Sequence, residues 1–182
     1  METNINILDH IAVVPNFPKT GINFYDIQSL LAKPYVWRDI IAKISERAFA
    51  ERADMILGIE SRGFVAGAPV ALELGLPFGM IRKKGKLPGK VIGQEYALEY
   101  GTDTIEIQEG LIETGMRVVI VDDLLATGGT LRAAGDLTKK IGGHIVLAAC
   151  IIELFELGGR DKIDFPLLTL AQAPLDPLTA AA

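Results

Sequence analysis

The sequence predicts a three-layer α/β fold, a mainly parallel sheet flanked by helices, and three observations carry the prediction. Four apolar runs, at Met55–Ile59, 78–81, 118–121 and 145–152, lack the inside-outside alternation of half-exposed strands and read as strands buried on both faces. Segments of helical spacing separate them. Each run also ends in a loop of small or polar residues, so chemistry collects at the strands' carboxyl ends, where open parallel sheets bind ligands.

In chain order, the residues up to Val14 are weakly patterned, with Ile7, Leu8 and Ile11 giving one short amphipathic turn. A Pro/Gly-punctuated loop over 17–27 ends in the aromatics Phe24 and Tyr25. Together these stretches, to about residue 35, form a small hood. Pro34–Ala50 is an amphipathic helix: Pro34 suits a first turn, and Trp37, Ile40, Ile41, Ile44 and Ala48 line one face. The strand Met55–Ile59 leads through Glu60-Ser61-Arg62-Gly63-Phe64 into a helix carrying Val65, Ala68 and Leu72. The strand at 78–81 ends in Arg82-Lys83-Lys84-Gly85-Lys86-Leu87-Pro88-Gly89-Lys90, five cations within nine residues. Alternation at Tyr96, Leu98 and Tyr100, a turn over 101–103, and alternation back at Ile105 and Ile107 make a hairpin. After the run 145–152 come Glu153-Leu154-Phe155, an edge strand at 167–170, and a loose tail over 171–182 with Pro174 and Pro177.

Composition bounds the function. The 182 residues, 49% of them hydrophobic, make one domain, 1–182, of ordinary size with a real core. A net charge of −5 argues against a nucleic-acid partner, and no apolar run is long enough to span a bilayer, so no membrane partner is expected. Asn4, Asn6 and Asp9 break up any signal peptide, and the lone Cys150 can form no intrachain disulfide, which makes the cytoplasm the expected location. His10 and His144 are isolated and form no metal cluster, so a metal would be Mg²⁺ arriving with phosphates.

The most specific stretch runs from Arg117 to Thr130. Val118, Val119, Ile120 and Val121 form a buried strand, and Asp122 and Asp123 stand where it ends. Ala126, Thr127, Gly128, Gly129 and Thr130 then open a helix whose apolar face carries Leu131, Ala134, Leu137 and Ile141, before Gly142-Gly143 stops it. Backbone amides at a helix start favour an anion, and the two glycines allow close approach of a phosphate. Two adjacent carboxylates would repel a second phosphate and call instead for hydrogen-bond donors such as a ribose diol. Phosphate at one end and hydroxyls at the other describe a ribose 5-phosphate. No lysine follows the glycines as in a Walker A loop, and the G-x-G-x-x-G spacing is absent.

This signature resembles the phosphoribosyl-diphosphate motif of the type I phosphoribosyltransferases, in the form Asp122-Asp123-Leu124-Leu125-Ala126-Thr127-Gly128-Gly129-Thr130 that the adenine-using branch carries. The resemblance spans about residues 17–170. It implies transfer of a 5-phosphoribosyl group from its diphosphate to adenine, giving AMP and pyrophosphate, with Mg²⁺ and, in a homodimer, one lysine often supplied across the interface. Asp122 and Asp123 then hold the ribose hydroxyls, and Arg62, Arg82, Lys83 and Lys86 meet the pyrophosphate; Lys84 and Lys90 have no match. A non-proline cis peptide is implied between Glu60 and Ser61. The base would lie between Phe24 and Leu154, each equally readable as core, with Asn23 and Tyr25 offering backbone contacts. The chain departs from the family pattern at Thr20, Asn23 and Tyr25, where Pro, an apolar residue and Arg are usual. Glu99-Tyr100 matches the Glu-Tyr pair of the family's lid, with Glu99 the general acid-base group nearest the base. Two rivals remain open: the same chemistry on another nucleobase, and a non-catalytic regulator that senses phosphoribosyl diphosphate.

Overall fold

The chain opens with a two-stranded antiparallel ribbon, β1 (Ala12–Pro15) and β2 (Asn23–Asp26), in which Val14 lies opposite Phe24 and Val13 opposite Tyr25. This computed structural model describes residues 5–97 and 101–176. A single turn, α1 (Gln28–Leu31), joins the ribbon to α2 (Pro34–Ala50), which buries Val36, Ile40, Ile41, Ile44 and Ala48 and keeps Trp37 at the core's edge. The main sheet follows, built from β3 (Met55–Ile59), β4 (Phe78–Lys83), β5 (Val91–Ala97), β6 (Thr102–Gln108), β7 (Arg117–Leu125), β8 (His144–Leu154) and β9 (Leu167–Ala173). Helix α3 (Arg62–Leu74) connects β3 to β4, and α4 (Gly129–Lys140) connects β7 to β8. The strand order is β5-β6-β4-β3-β7-β8-β9; β4, β3, β7, β8 and β9 run parallel and the β5–β6 hairpin is antiparallel at one edge.

Alternation along the central strands makes the three layers. Ile56, Val119, Val121, Leu147, Ala149 and Ile151 face α2 and α3. Met55, Leu57, Ile59, Val118, Ile120, Ala148 and Cys150 face α4 and the hairpin. Both faces being covered, these strands are apolar throughout, which is why their sequence shows runs. From β3 the chain crosses to β4 on one side, and from β7 to β8 on the other. Order reverses between the two neighbours, so a crevice opens beyond the carboxyl ends of β3 and β7.

Four boundaries differ from the sequence reading. β7 continues through Asp122 and Asp123 to Leu125, because Asp122, Leu124 and Leu125 keep pairing with β8. β4 includes Arg82 and Lys83, which pair with β6. β9 extends through Ala173, so the first residues of the expected loose tail are paired strand; residues from Pro177 onward lie outside the described ones. In α3 the buried face is Gly63, Ala66, Gly67, Val70 and Ala71, while Val65 and Leu72 are exposed, Leu72 to 84%. The reason is close approach: a Cβ on Gly58 would come within 2.9 Å of the Phe78 ring and 3.0 Å of the Gly63 carbonyl oxygen, leaving room only for small residues. Periodicity weighs bulk, and here bulk stays outside.

Candidate active site

The crevice floor is the end of β7. Asp123 is 4% exposed, and its Oδ2 lies 2.7 Å from Nε of Arg62, at the start of α3. The Asp122 Oδ1 accepts the backbone N–H of Asp123 at 2.9 Å. Gly63 makes this pairing of elements possible, since a Cβ there would meet the Val121 carbonyl oxygen at 2.5 Å and Asp122 Oδ1 at 3.1 Å. Burial, then the Asp123 charge, pushes the Asp122 carboxyl well above the usual carboxylate range. Burial raises Asp123 as well, against the pull of the Arg62 guanidinium. Two carboxylates held together in a low-dielectric floor favour hydroxyl donors or a cation as company.

Beyond them the chain turns through Ala126 and Thr127 into Gly128, whose φ of 79° suits glycine, and α4 begins at Gly129. The first N–H groups of the helix have no intrahelical acceptor and point into the crevice mouth with the positive end of the dipole. Asp122, Asp123 and residues 126–130 line one cavity of about 470 Å³, together with Glu60, Ser61, Arg62, Lys83, Tyr96 and Asp103. A sugar phosphate fits this combination of anion nest and paired acceptors.

The cationic wall is held by Glu60. Its carboxylate accepts from Arg82 Nη2 at 3.1 Å, Lys86 Nζ at 2.7 Å and the Lys83 backbone N–H at 3.1 Å, and the Glu60–Ser61 peptide is cis. Lys83 pairs with Asp103 at 3.3 Å. Burial would raise Glu60, but the hydrogen bonds from Arg82, Lys86 and Lys83 outweigh it and hold the carboxyl at about 2 against an ordinary 4.5. With the folded value below the unfolded one, this contribution to stability is full above about pH 4.5 and is lost as pH falls toward 2. Glu60→Gln should therefore flatten that part of the acid-unfolding curve; a denaturant midpoint measured at pH 5 and at pH 3 that changes as much as in the parent would refute it.

Similarity to known proteins agrees with this geometry. The phosphoribosyl transferase domain profile matches residues 26–170. An adenine phosphoribosyltransferase of Rhodospirillum rubrum is 55% identical over 166 residues, 91% of this chain and 97% of the relative. The chain belongs to the adenine phosphoribosyltransferase family. Among solved structures, the adenine phosphoribosyltransferase of Thermoanaerobacter pseudethanolicus superposes with a TM-score of 0.88 at 41% identity, covering 92% of this chain and 98% of that one. The Saccharomyces cerevisiae adenine phosphoribosyltransferase, solved with adenine and an imino-altritol bisphosphate, gives 0.85 at 40% identity, covering 90% and 95%.

Within this adenine phosphoribosyltransferase site the expected residues fare differently. Phe24 sits at its edge, its ring centroid 5.1 Å from the Arg62 guanidinium carbon. The side chains of its neighbours reach to the segment after β9. Tyr25, 6% exposed, donates its hydroxyl to the Pro174 carbonyl at 2.6 Å, and Asn23 Nδ2 donates to the Leu175 carbonyl at 3.1 Å. Only their backbones are left for substrate. Leu154, 8% exposed, packs in the core cluster of the α2/α3 face at the end of β8 and does not line the cavity. Glu99 and Tyr100 lie outside the described residues. Ser61, Tyr96 and Asp103 line the cavity without having been singled out. Tyr96 was visible only as one step of a strand alternation, and its reach to Thr130, 3.5 Å between hydroxyls, depends on how the hairpin folds over α4.

Proposed function

We propose that this chain transfers the 5-phosphoribosyl group of phosphoribosyl diphosphate to N9 of adenine, forming AMP and releasing pyrophosphate. The observation that carries the reading is one cavity lined both by the helix-opening loop at residues 126–130 and by the paired carboxylates Asp122 and Asp123 at the end of β7. The nest fixes the 5-phosphate. Asp122 and Asp123 accept from the ribose hydroxyls and offset positive charge that develops at the sugar as the diphosphate departs. Arg62 and Lys83 line the cavity and meet the leaving group, while Arg82 and Lys86, held by the cavity-lining Glu60, add to the positive charge on that side. Phe24 stacks on the base, with backbone groups of Asn23 and Tyr25 at its edge; Leu154 supports that side from the core.

Among the described residues no cluster of three or more His, Cys, Asp or Glu could cage a metal. The donor set fits Mg²⁺ carried in by the substrate, which Asp122 and Asp123 would help to hold. When bound, the ion supplies charge neutralisation on the diphosphate. No helix among the described residues is long and apolar enough to cross a membrane, and a cytoplasmic enzyme is the reading we adopt. Exposed Val65, Leu72 and Met80 give a second copy an apolar face to cover, in keeping with a homodimer.

The test is pyrophosphate release from phosphoribosyl diphosphate with each common nucleobase in turn. Adenine should be preferred by a wide margin. Equal turnover of hypoxanthine or guanine would favour another base, and tight binding of phosphoribosyl diphosphate without turnover of any base would favour a sensor.

A further inference from the structure

We propose that Gly159, Arg160 and Glu153 form a positioning device behind the 5-phosphate loop, setting the place of its backbone amides without touching substrate. The proposal rests on the assignment of residues 126–130 as the phosphate site.

The first observation is a contact between two bare backbones. A Cβ built on Gly128 would overlap the Gly159 carbonyl oxygen and come within 3.2 Å of the Gly159 Cα. A Cβ built on Gly159 would overlap the Ala126 carbonyl oxygen and lie 2.9 Å from the Gly128 nitrogen. The turn at Gly158–Gly159 is thus the surface on which the loop rests, and each glycine is required by the other's backbone. Gly159 has no positive φ, so its need for a bare Cα comes from this approach alone.

The second observation is how that turn is fixed. Arg160 reaches back across the sheet end, Nε donating to Glu153 Oε1 at 2.9 Å and Nη2 to Glu153 Oε2 at 2.5 Å and to Thr169 Oγ1 at 2.8 Å. Thr169 Oγ1 and Gln172 Nε2 lie 2.9 Å and 3.3 Å from the same Oε2. Glu153 is 4% exposed yet fully partnered, a bidentate pair with supporting donors, unlike a loose surface ion pair. It also pairs across β7–β8 with Leu125, the residue immediately before the loop. On the far side, Arg132 Nη1 in the first turn of α4 donates to the Lys162 carbonyl at 3.2 Å. The turn is therefore fastened to the strands on one side and to the phosphate-bearing helix on the other. An anion nest works only where its donors stand at hydrogen-bond distance, so a shift of tenths of an ångström in Ala126 or Gly128 is felt by the phosphate.

The test uses Glu153→Gln, Arg160→Lys and Gly159→Ala. Each is compared with the parent in KM for phosphoribosyl diphosphate, KM for adenine, dissociation constant for ribose 5-phosphate by calorimetry, and Tm. Glu153→Gln and Gly159→Ala should weaken ribose 5-phosphate and raise KM for the diphosphate about tenfold, equivalent to ~1.4 kcal/mol, with KM for adenine within about twofold of the parent. Arg160→Lys keeps the charge and loses the fork, so it should fall between them and the parent. Should Gly159→Ala not fold, the other two decide. Folded Glu153→Gln that binds ribose 5-phosphate as the parent does, or loses adenine and diphosphate affinity in equal measure, overturns the proposal. A parent that itself binds no ribose 5-phosphate overturns the reading of the site, and this proposal with it.

Discussion

Asp122→Asn is expected to lower kcat by about 10²–10³ and, at pH 8, to unfold at a higher temperature than the parent. The first half follows from removing a negative charge from the floor on which sugar charge develops. The second follows from the folded-state environment. Burial and the neighbouring Asp123 raise the Asp122 carboxyl well above its ordinary value, so folding opposes its ionisation. Between the unfolded and the folded pKa the native protein holds a proton that the unfolded chain has released, and stability falls as pH rises through that window. At pH 8 the parent carries that penalty and the variant does not. Asn keeps an oxygen to accept the Asp123 N–H, so the local geometry survives. Each kcal/mol of relief should read as about 2–4 °C in a chain of this size. Below the ordinary carboxylate range the two proteins should converge, because Asp122 is then neutral in both folded and unfolded parent. Calorimetry at pH 8 and pH 3, with turnover assays at pH 8, checks both halves; a variant less stable at pH 8 that keeps its turnover would make Asp122 a structural residue.

Glu99→Gln is expected to lower kcat by about 10²–10⁴ and to leave diphosphate affinity nearly unchanged. Adenine must lose its N9 proton, directly or by a shift from N7, as the glycosidic bond forms. The family resemblance gives that proton to Glu99. A carboxylate sequestered with substrate is moved by desolvation toward a pKa useful for proton transfer. Single-turnover and steady-state kinetics of the Gln variant decide it. A kcat within about threefold of the parent, well short of general acid-base magnitudes, removes Glu99 from the mechanism.

The parallel sheet was legible because strands covered on both faces leave unbroken apolar runs, and α2 because its isoleucines fall on the one face that is buried. The turn into α4 was legible because a backbone at the φ of Gly128, 79°, calls for glycine, a requirement written in residue type. The failures have the opposite cause. In α3 the inward face is made of glycine and alanine, so bulk pointed the wrong way. Tyr25 shows another limit, since nothing local reveals that its hydroxyl meets the Pro174 carbonyl across the fold. The same holds for Gly159, which reads as turn punctuation until Ala126 and Gly128 are found against it.

The bonds from the hood to the last strand's end set an order of assembly. Asn23 and Tyr25 flank Phe24, and their partners at Pro174, Leu175 and Asp176 lie 149 to 153 residues later. At ribosomal speeds of about 5–20 residues per second, that span takes roughly 7–30 s to synthesise. Closing so long a loop costs little more than closing one half its length, so distance in sequence weakens the finished clasp hardly at all. It does govern timing. A nascent chain can pair β1 with β2 and β3 with β7 and seat Arg62 on Asp123 before residue 174 exists, whereas the side-chain clasp on β2 must wait for it. A segment made early thus receives its last side-chain ties only after every strand of the main sheet has been synthesised.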